Sequence, residues 1–151
     1  KMGLKELSTK YQNIAKELAE SRQRNGLLIA SDGFALVANR VQNTGVDMDG
    51  QKMPLYSEGY KALRKSLGLP VDKRTSTFSG DMFSDIRPEI IEHNDEVTII
   101  EIKARASFNQ AKINFNSKTI DKSIIGFSKE DKAFITEANQ KRIQKIFDKY
   151  K

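Results

Sequence analysis

The stretch that decides the fold is Arg87-Pro88-Glu89-Ile90-Ile91-Glu92-His93-Asn94-Asp95-Glu96-Val97-Thr98-Ile99-Ile100-Glu101-Ile102-Lys103-Ala104. Two β-prone runs, Arg87–Glu92 and Val97–Ala104, flank the turn residues His93 to Glu96, which predicts a β-hairpin. Side chains alternate across a strand, so Ile100, Ile102 and Ala104 share one face while Val97, Ile99, Glu101 and Lys103 share the other. The second face begins apolar and ends charged. A sheet covered by helices on one side, with the other side offered to a neighbour, fits that split.

Outward from the hairpin the pattern is helical. Leu4, Leu7, Tyr11, Ile14 and Leu18 recur at steps of three and four, predicting an N-terminal helix over 4–24. The polar run Ser21 to Gly26 predicts a break or kink. A second helix is expected over 26–41, with Leu27, Ala30, Phe34, Val37 and Val41 inward and Gly33 marking a close helix crossing. Gly45 reads as its left-handed cap, and the periodless stretch 46–56 as a loop. Ser57 is placed to cap a short helix bearing Tyr60, Leu63 and Leu67, which Gly68 and Pro70 stop. After a polar loop at 71–78, Ser79-Gly80-Asp81 opens another short turn anchored by Met82, Phe83 and Ile86. Phe108, Ala111 and Phe115 suggest a short helix or turn, and Ser123–Phe127 an extra strand. Ser128-Lys129-Glu130-Asp131 is a capping box; it opens a terminal helix in which Ile135, Ala138, Ile143, Ile146, Phe147 and Tyr150 are apolar. The expectation is a single α+β domain over 1–151, a small antiparallel sheet packed with N- and C-terminal helices. Lys1, ahead of the expected start Met2, is given no role.

Composition narrows the chemistry. The 151 residues contain no cysteine and one histidine, which excludes disulfides, thiolate metal sites, cysteine nucleophiles and any site built on two imidazoles. No apolar run approaches the roughly 18 residues of a membrane span, and no charged-then-apolar leader opens the sequence. A soluble intracellular protein without membrane contact is expected. With 26 Lys+Arg against 20 Asp+Glu the net charge is +6. That is compatible with DNA contact through counterion release, but the basic residues are interleaved with acids, and the densest run, from Lys141 to Lys151, lies at a helix C-terminus where cations complement the dipole. A basic nucleic-acid-binding protein is one alternative.

The enzyme alternative rests on Glu101-Ile102-Lys103. Two-residue spacing puts both side chains on one face, as metal-dependent nucleases of the Glu-x-Lys type require, with Asp95 or Asp85 as the other ligand. A Glu–Lys pair on a solvated strand is the plainer reading, because such a triplet arises readily by chance in a chain that is 30% charged. His93 lies in a turn, no nucleophile elbow or phosphate loop occurs, and Asp47, Asp49 and Gly50 lack the other positions of a calcium loop. No catalytic, cofactor or metal residue is assigned, and a non-enzymatic protein is expected.

Taken in order, several of these segments resemble the virion-morphogenesis, or tail-completion, proteins of tailed bacteriophages. Ala38-Asn39-Arg40 through Asn43-Thr44-Gly45 matches the family's helix ending in arginine and a polar stretch. Asp47-Met48-Asp49-Gly50-Gln51-Lys52-Met53-Pro54-Leu55 matches its Asp-x-Asp-Gly-x-x-x-Pro-Leu loop. Tyr60-Lys61 to Gly68, the step Ser79-Gly80-Asp81-Met82-Phe83-Ser84-Asp85-Ile86 and the entry Lys122-Ser123-Ile124-Ile125-Gly126-Phe127-Ser128-Lys129-Glu130-Asp131 complete the series, which covers about residues 25–150. Where many members carry Pro-Tyr-Ala-x-x-His, this chain reads Phe108-Asn109-Gln110-Ala111-Lys112-Ile113. The resemblance implies a structural protein of the virion, acting at the head–tail junction or the proximal tail end. It also implies tail or connector proteins as partners, and a homo-oligomeric ring, sixfold favoured, when assembled. Val97 and Ile99 on the outward sheet face, Asp49, Lys52 and Met53 in the first loop and Lys73 and Arg74 in the second are the expected partner contacts, because loops on a rigid scaffold carry recognition.

Overall fold

A computed structural model describes residues 3–77, 79–94 and 96–151. The element order is α1 (Leu4–Asn39), a π-helical turn (Arg40–Thr44), α2 (Glu58–Ser66), α3 (Asp81–Ser84), β1 (Ile86–His93), β2 (Thr98–Ala104), α4 (Ser107–Ile120) and α5 (Lys129–Asp148). This is the expected α+β arrangement, with α1 packed on an antiparallel hairpin and α5 packed along α1.

The hairpin register sets Ile86 opposite Ala104, Pro88 opposite Ile102 and Ile90 opposite Ile100, so these residues form the inner face. Pairing then slips, and Glu92 meets Ile99, leaving Ile91 as the extra residue of a bulge. Val97, Ile99 and Ile91 are exposed, as alternation requires for the first two.

The break expected at 21–26 does not form. α1 is one helix of 36 residues, about 54 Å long at 1.5 Å per residue. Tertiary contacts override the weak local pattern. Arg22 donates to the Asn94 carbonyl at the hairpin turn, and the helix passes so close to the sheet that a Cβ on Gly26 would lie 2.6 Å from Ile100 Cδ1. Further along, a Cβ on Gly33 would lie 2.8 Å from both Ile135 and Phe127, so Gly33 does mark a close crossing, with α5. α1 and α5 run antiparallel: Asp32 pairs with Arg142, and Glu17 with Lys149 and Tyr150. Beyond Glu17 the first turns of α1 lose this support, and Leu4, Leu7 and Tyr11 are exposed while Ile14 is buried.

Val37 and Val41, both fully buried, enter a core shared with Met53, Phe83, Ile86, Ile113 and Ile124. Two expectations are corrected here. Residues 123–127 form no strand; Ile124 instead plugs the core from a turn closed by Gly126 N–H on the Ser123 carbonyl. α4 is longer than expected and faces the other way: Asn109, Ile113 and Ile120 are buried, whereas Phe108 and Phe115 are exposed. The cause is Asp85, whose Oδ2 accepts the Ala106 N–H at 2.8 Å and Asn109 Nδ2 at 2.9 Å, fixing the rotation of the helix about its axis. The Asn109 and Ala106 hydrogen bonds also hold the Asp85 carboxyl below its usual range.

Candidate functional site

Three chain segments meet at Arg40. The residue sits where α1 gives way to the π-helical turn, which Gly45 closes at φ 67. Its Nη1 donates to the Val46 carbonyl at 3.2 Å; its Nη2 donates to the Gly126 carbonyl at 2.6 Å and to Asp131 Oδ2 at 3.2 Å. Asp131 is the N3 residue of the α5 capping box, accepting the Ser128 N–H at 2.8 Å while Ser128 Oγ accepts the Asp131 N–H at 3.0 Å. One guanidinium thus ties the end of α1, the loop after it and the start of α5.

The loop itself is folded tightly. Asp47 Oδ1 accepts the N–H groups of Asp49 and Gln51, both at 2.9 Å, an Asx-type turn. Val46 and Lys52 form an isolated antiparallel bridge, and Met53 N–H returns to the Gly45 carbonyl. Lys122 Nζ closes the assembly from outside, 2.7 Å from Asp47 and 2.8 Å from Asp49. Burial pushes the Asp47 carboxyl up, but the Lys122 hydrogen bond and the two backbone donors outweigh it, and the net shift is downward. Donating to the Asp47 and Asp49 carboxylates drives Lys122 well above the usual lysine range.

A second cluster holds the next loop. Tyr56, Tyr60 and Arg64 recur every four residues, and Arg64 is 1% exposed. Its Nε donates to the Pro70 carbonyl at 2.8 Å, its Nη1 to Thr77 O at 2.7 Å and its Nη2 to Thr75 Oγ1 at 3.3 Å. Arg74 donates to the Pro54 and Leu55 carbonyls. Both guanidiniums lie over the Tyr56 ring, at 4.4 Å and 4.9 Å from its centroid. The two loops are therefore buttressed from within by cations on neutral oxygens. Beside them a groove of about 700 Å³ opens between α2, α3 and α4.

The expected contact residues separate into two groups. Val97 and Ile99 are exposed on the outer sheet face, and Asp49 and Lys52 are exposed on the first loop. Lys73 is half-buried and donates to the Asn43 carbonyl at 2.6 Å. Met53 and Arg74 are corrected: both are buried, Met53 in the core and Arg74 under the 54–56 backbone, so they shape the loops from inside rather than presenting a surface. Of the nuclease set, Lys103 is held at 3.0 Å by both Glu101 and Glu89, whose hydrogen bonds raise its pKa. Asp85 is committed to α4, and Asp95 lies outside the described residues. His93 Nδ1 lies 2.8 Å from Thr98 Oγ1 across the hairpin. Among the described residues no group of three or more acidic or imidazole side chains is placed to hold a metal ion, and no helix is long and apolar enough to cross a membrane.

Sequence reasoning did not single out Arg64, Tyr56 or Lys112 for the groove, nor Lys122 as a clasp. The four-residue spacing of Tyr56, Tyr60 and Arg64 carried a usable signal; the Lys122 pairing spans 75 residues and carried none. Compared with family models, with curated proteins and with solved structures, the chain matches none.

Proposed function

We propose that the protein is a non-enzymatic structural component of a tailed-bacteriophage virion, acting at the head–tail junction or the proximal end of the tail. The observation that carries this reading is the Arg40 junction. Of the segments on which the resemblance rests, the Lys122–Asp131 entry to α5 is remote in sequence from Arg40 and the Asp47–Leu55 loop, yet hydrogen bonds between 2.6 and 3.2 Å join them. Residues that recur together as a motif series are expected to share a physical task. Here that task is to hold a loop rigid at the end of a long helix, which suits a protein that must present one fixed shape to a neighbour. The exposed apolar residues Ile91, Val97 and Ile99 on the outer sheet face supply a surface for such a contact.

In this reading the protein joins the virion from the host cytoplasm, contacts tail or connector proteins, and closes into a ring, sixfold favoured, through a heterologous interface. Lys103 held between two carboxylates argues against its use on a phosphate. The test is incorporation into particles. Ile99→Asp should keep the folded circular-dichroism spectrum while losing incorporation into tails or connectors. Particles that lack the wild-type protein altogether would refute the role. So would magnesium-dependent cutting of supercoiled DNA that disappears in both Glu101→Ala and Lys103→Ala.

A further inference from the structure

The groove beside α2 is lined by cations. Among the described residues its walls include Arg64, Arg74 and Lys112 and no carboxylate. Arg64 and Arg74 are 1% and 7% exposed, a degree of burial at which a cation is normally paired with an anion. Instead their hydrogen bonds go to carbonyls and one hydroxyl. No hydrogen bond engages Arg74 Nη1 among the described residues. On the same wall Ser76 is held at φ 52, a costly conformation for serine, and its hydroxyl has no partner. Strain and cationic charge concentrated on one concave surface are the marks of a binding site rather than of a packed core.

The lips of the groove are apolar. Leu63 of α2 and Phe115 of α4 line it and are exposed; beyond the lining, Leu67 just after α2 and Phe108 two turns back on α4 are exposed as well. Two helical turns span about 11 Å, a length that suits a run of polypeptide better than a small anion. We propose that this groove docks an acidic–apolar segment of a partner protein: its apolar side chains lie between Leu63 and Phe115, and its carboxylate is received by Lys112 in the field of the buried Arg64 and Arg74. Charge complementarity selects this occupant over the N-terminal turns of another copy of the chain. The exposed apolar turns of α1 (Leu4, Leu7, Tyr11) carry Lys5 and Lys10 beside a single acid, Glu6, and would bring net positive charge to a cationic groove. The inference rests on the groove alone and does not depend on the virion assignment.

The experiment uses the full chain and a short fluorescein-labelled peptide of alternating leucine and glutamate. Counterparts carry glutamine or lysine in place of glutamate, and a duplex oligonucleotide serves as competitor. Anisotropy should report binding of the glutamate peptide, roughly tenfold or more weaker binding of the glutamine peptide, and none of the lysine peptide. Amide shifts should map to Leu63, Lys112 and Phe115. Lys112→Glu and Leu63→Asp are surface changes that leave the fold intact by circular dichroism, and each should cost about tenfold in affinity. Equal binding of the glutamate and glutamine peptides, no binding, unchanged affinity in both variants, or shifts lying elsewhere would each overturn the proposal. Displacement of the peptide by duplex from these same residues would overturn it in favour of a nucleic-acid site.

Discussion

Replacing Arg40 with methionine should uncouple the two ends of the molecule. Arg40 and Asp131 side chains are only 13% and 9% exposed, and the guanidinium makes three hydrogen bonds to three segments. Removing one partner of a buried ion pair costs about 3–5 kcal/mol, since the remaining charge loses its compensation. Two features reduce that figure. Asp131 keeps the Ser128 N–H, and Arg40 Nε is itself buried without a partner, a penalty of about 1–3 kcal/mol that disappears with the side chain. The Val46 and Gly126 carbonyls, left without their donor, offset that relief by a similar amount, so a net loss of about 2–4 kcal/mol follows, a large share of the 5–15 kcal/mol typical of a domain. At roughly 2–4 °C per kcal/mol for a chain of this size, the Tm should fall by about 5–15 °C. The assay is urea unfolding of wild type, Arg40→Met, Asp131→Asn and the double variant, read by circular dichroism. The m-value should hold while the midpoint drops, and the cycle should show a coupling above about 1 kcal/mol. A loss below about 1 kcal/mol for Arg40→Met, or additive single changes, would refute the claim that this guanidinium is the tie.

The Lys122 clasp predicts a pH window. The lowered Asp47 pKa gives stability that is present above the unfolded value of about 3.9 and lost as pH falls through the folded value. The raised Lys122 pKa gives stability present below about 10.4 and lost as pH rises through the folded value. Urea midpoints of wild type and Lys122→Met should therefore differ most between about pH 4 and 10 and converge in acid; a gap that persists below pH 2 would contradict this. Gly45→Ala combines a left-handed φ of 67 with a Cβ placed 2.9 Å from Lys73 Cβ and 3.2 Å from the Arg74 carbonyl; it should cost about 2–3 kcal/mol, and a neutral result by thermal melting would show that the loop relaxes freely. Ile113→Ala should cost about 2–5 kcal/mol and Phe115→Ser at most about 0.5; the reverse order in denaturant titrations would mean that α4 is turned the other way.

Local chemistry and periodicity carried as far as their own range. The hairpin at 87–104, the Ser128–Asp131 capping box, the Gly45 cap and the inward stripe of Val37 and Val41 all rest on interactions between near neighbours, and each was legible in the residues. Which face of α4 turns inward was not, because it is set by Asp85 reaching Asn109 across 24 positions. Continuity of α1 through 21–26 was equally hidden, since Arg22 and Gly26 find their reason only in the hairpin lying against them. The expected contacts at Met53 and Arg74 failed for a related cause: a loop without periodicity gives no sign of which side chains fold beneath it. The groove belongs wholly to tertiary structure. Its cations, aromatic rings and apolar lips come from stretches that share no pattern, and only the tertiary fold, which sets α2, the 74–77 stretch and α4 around one groove, makes their charge a property of one place.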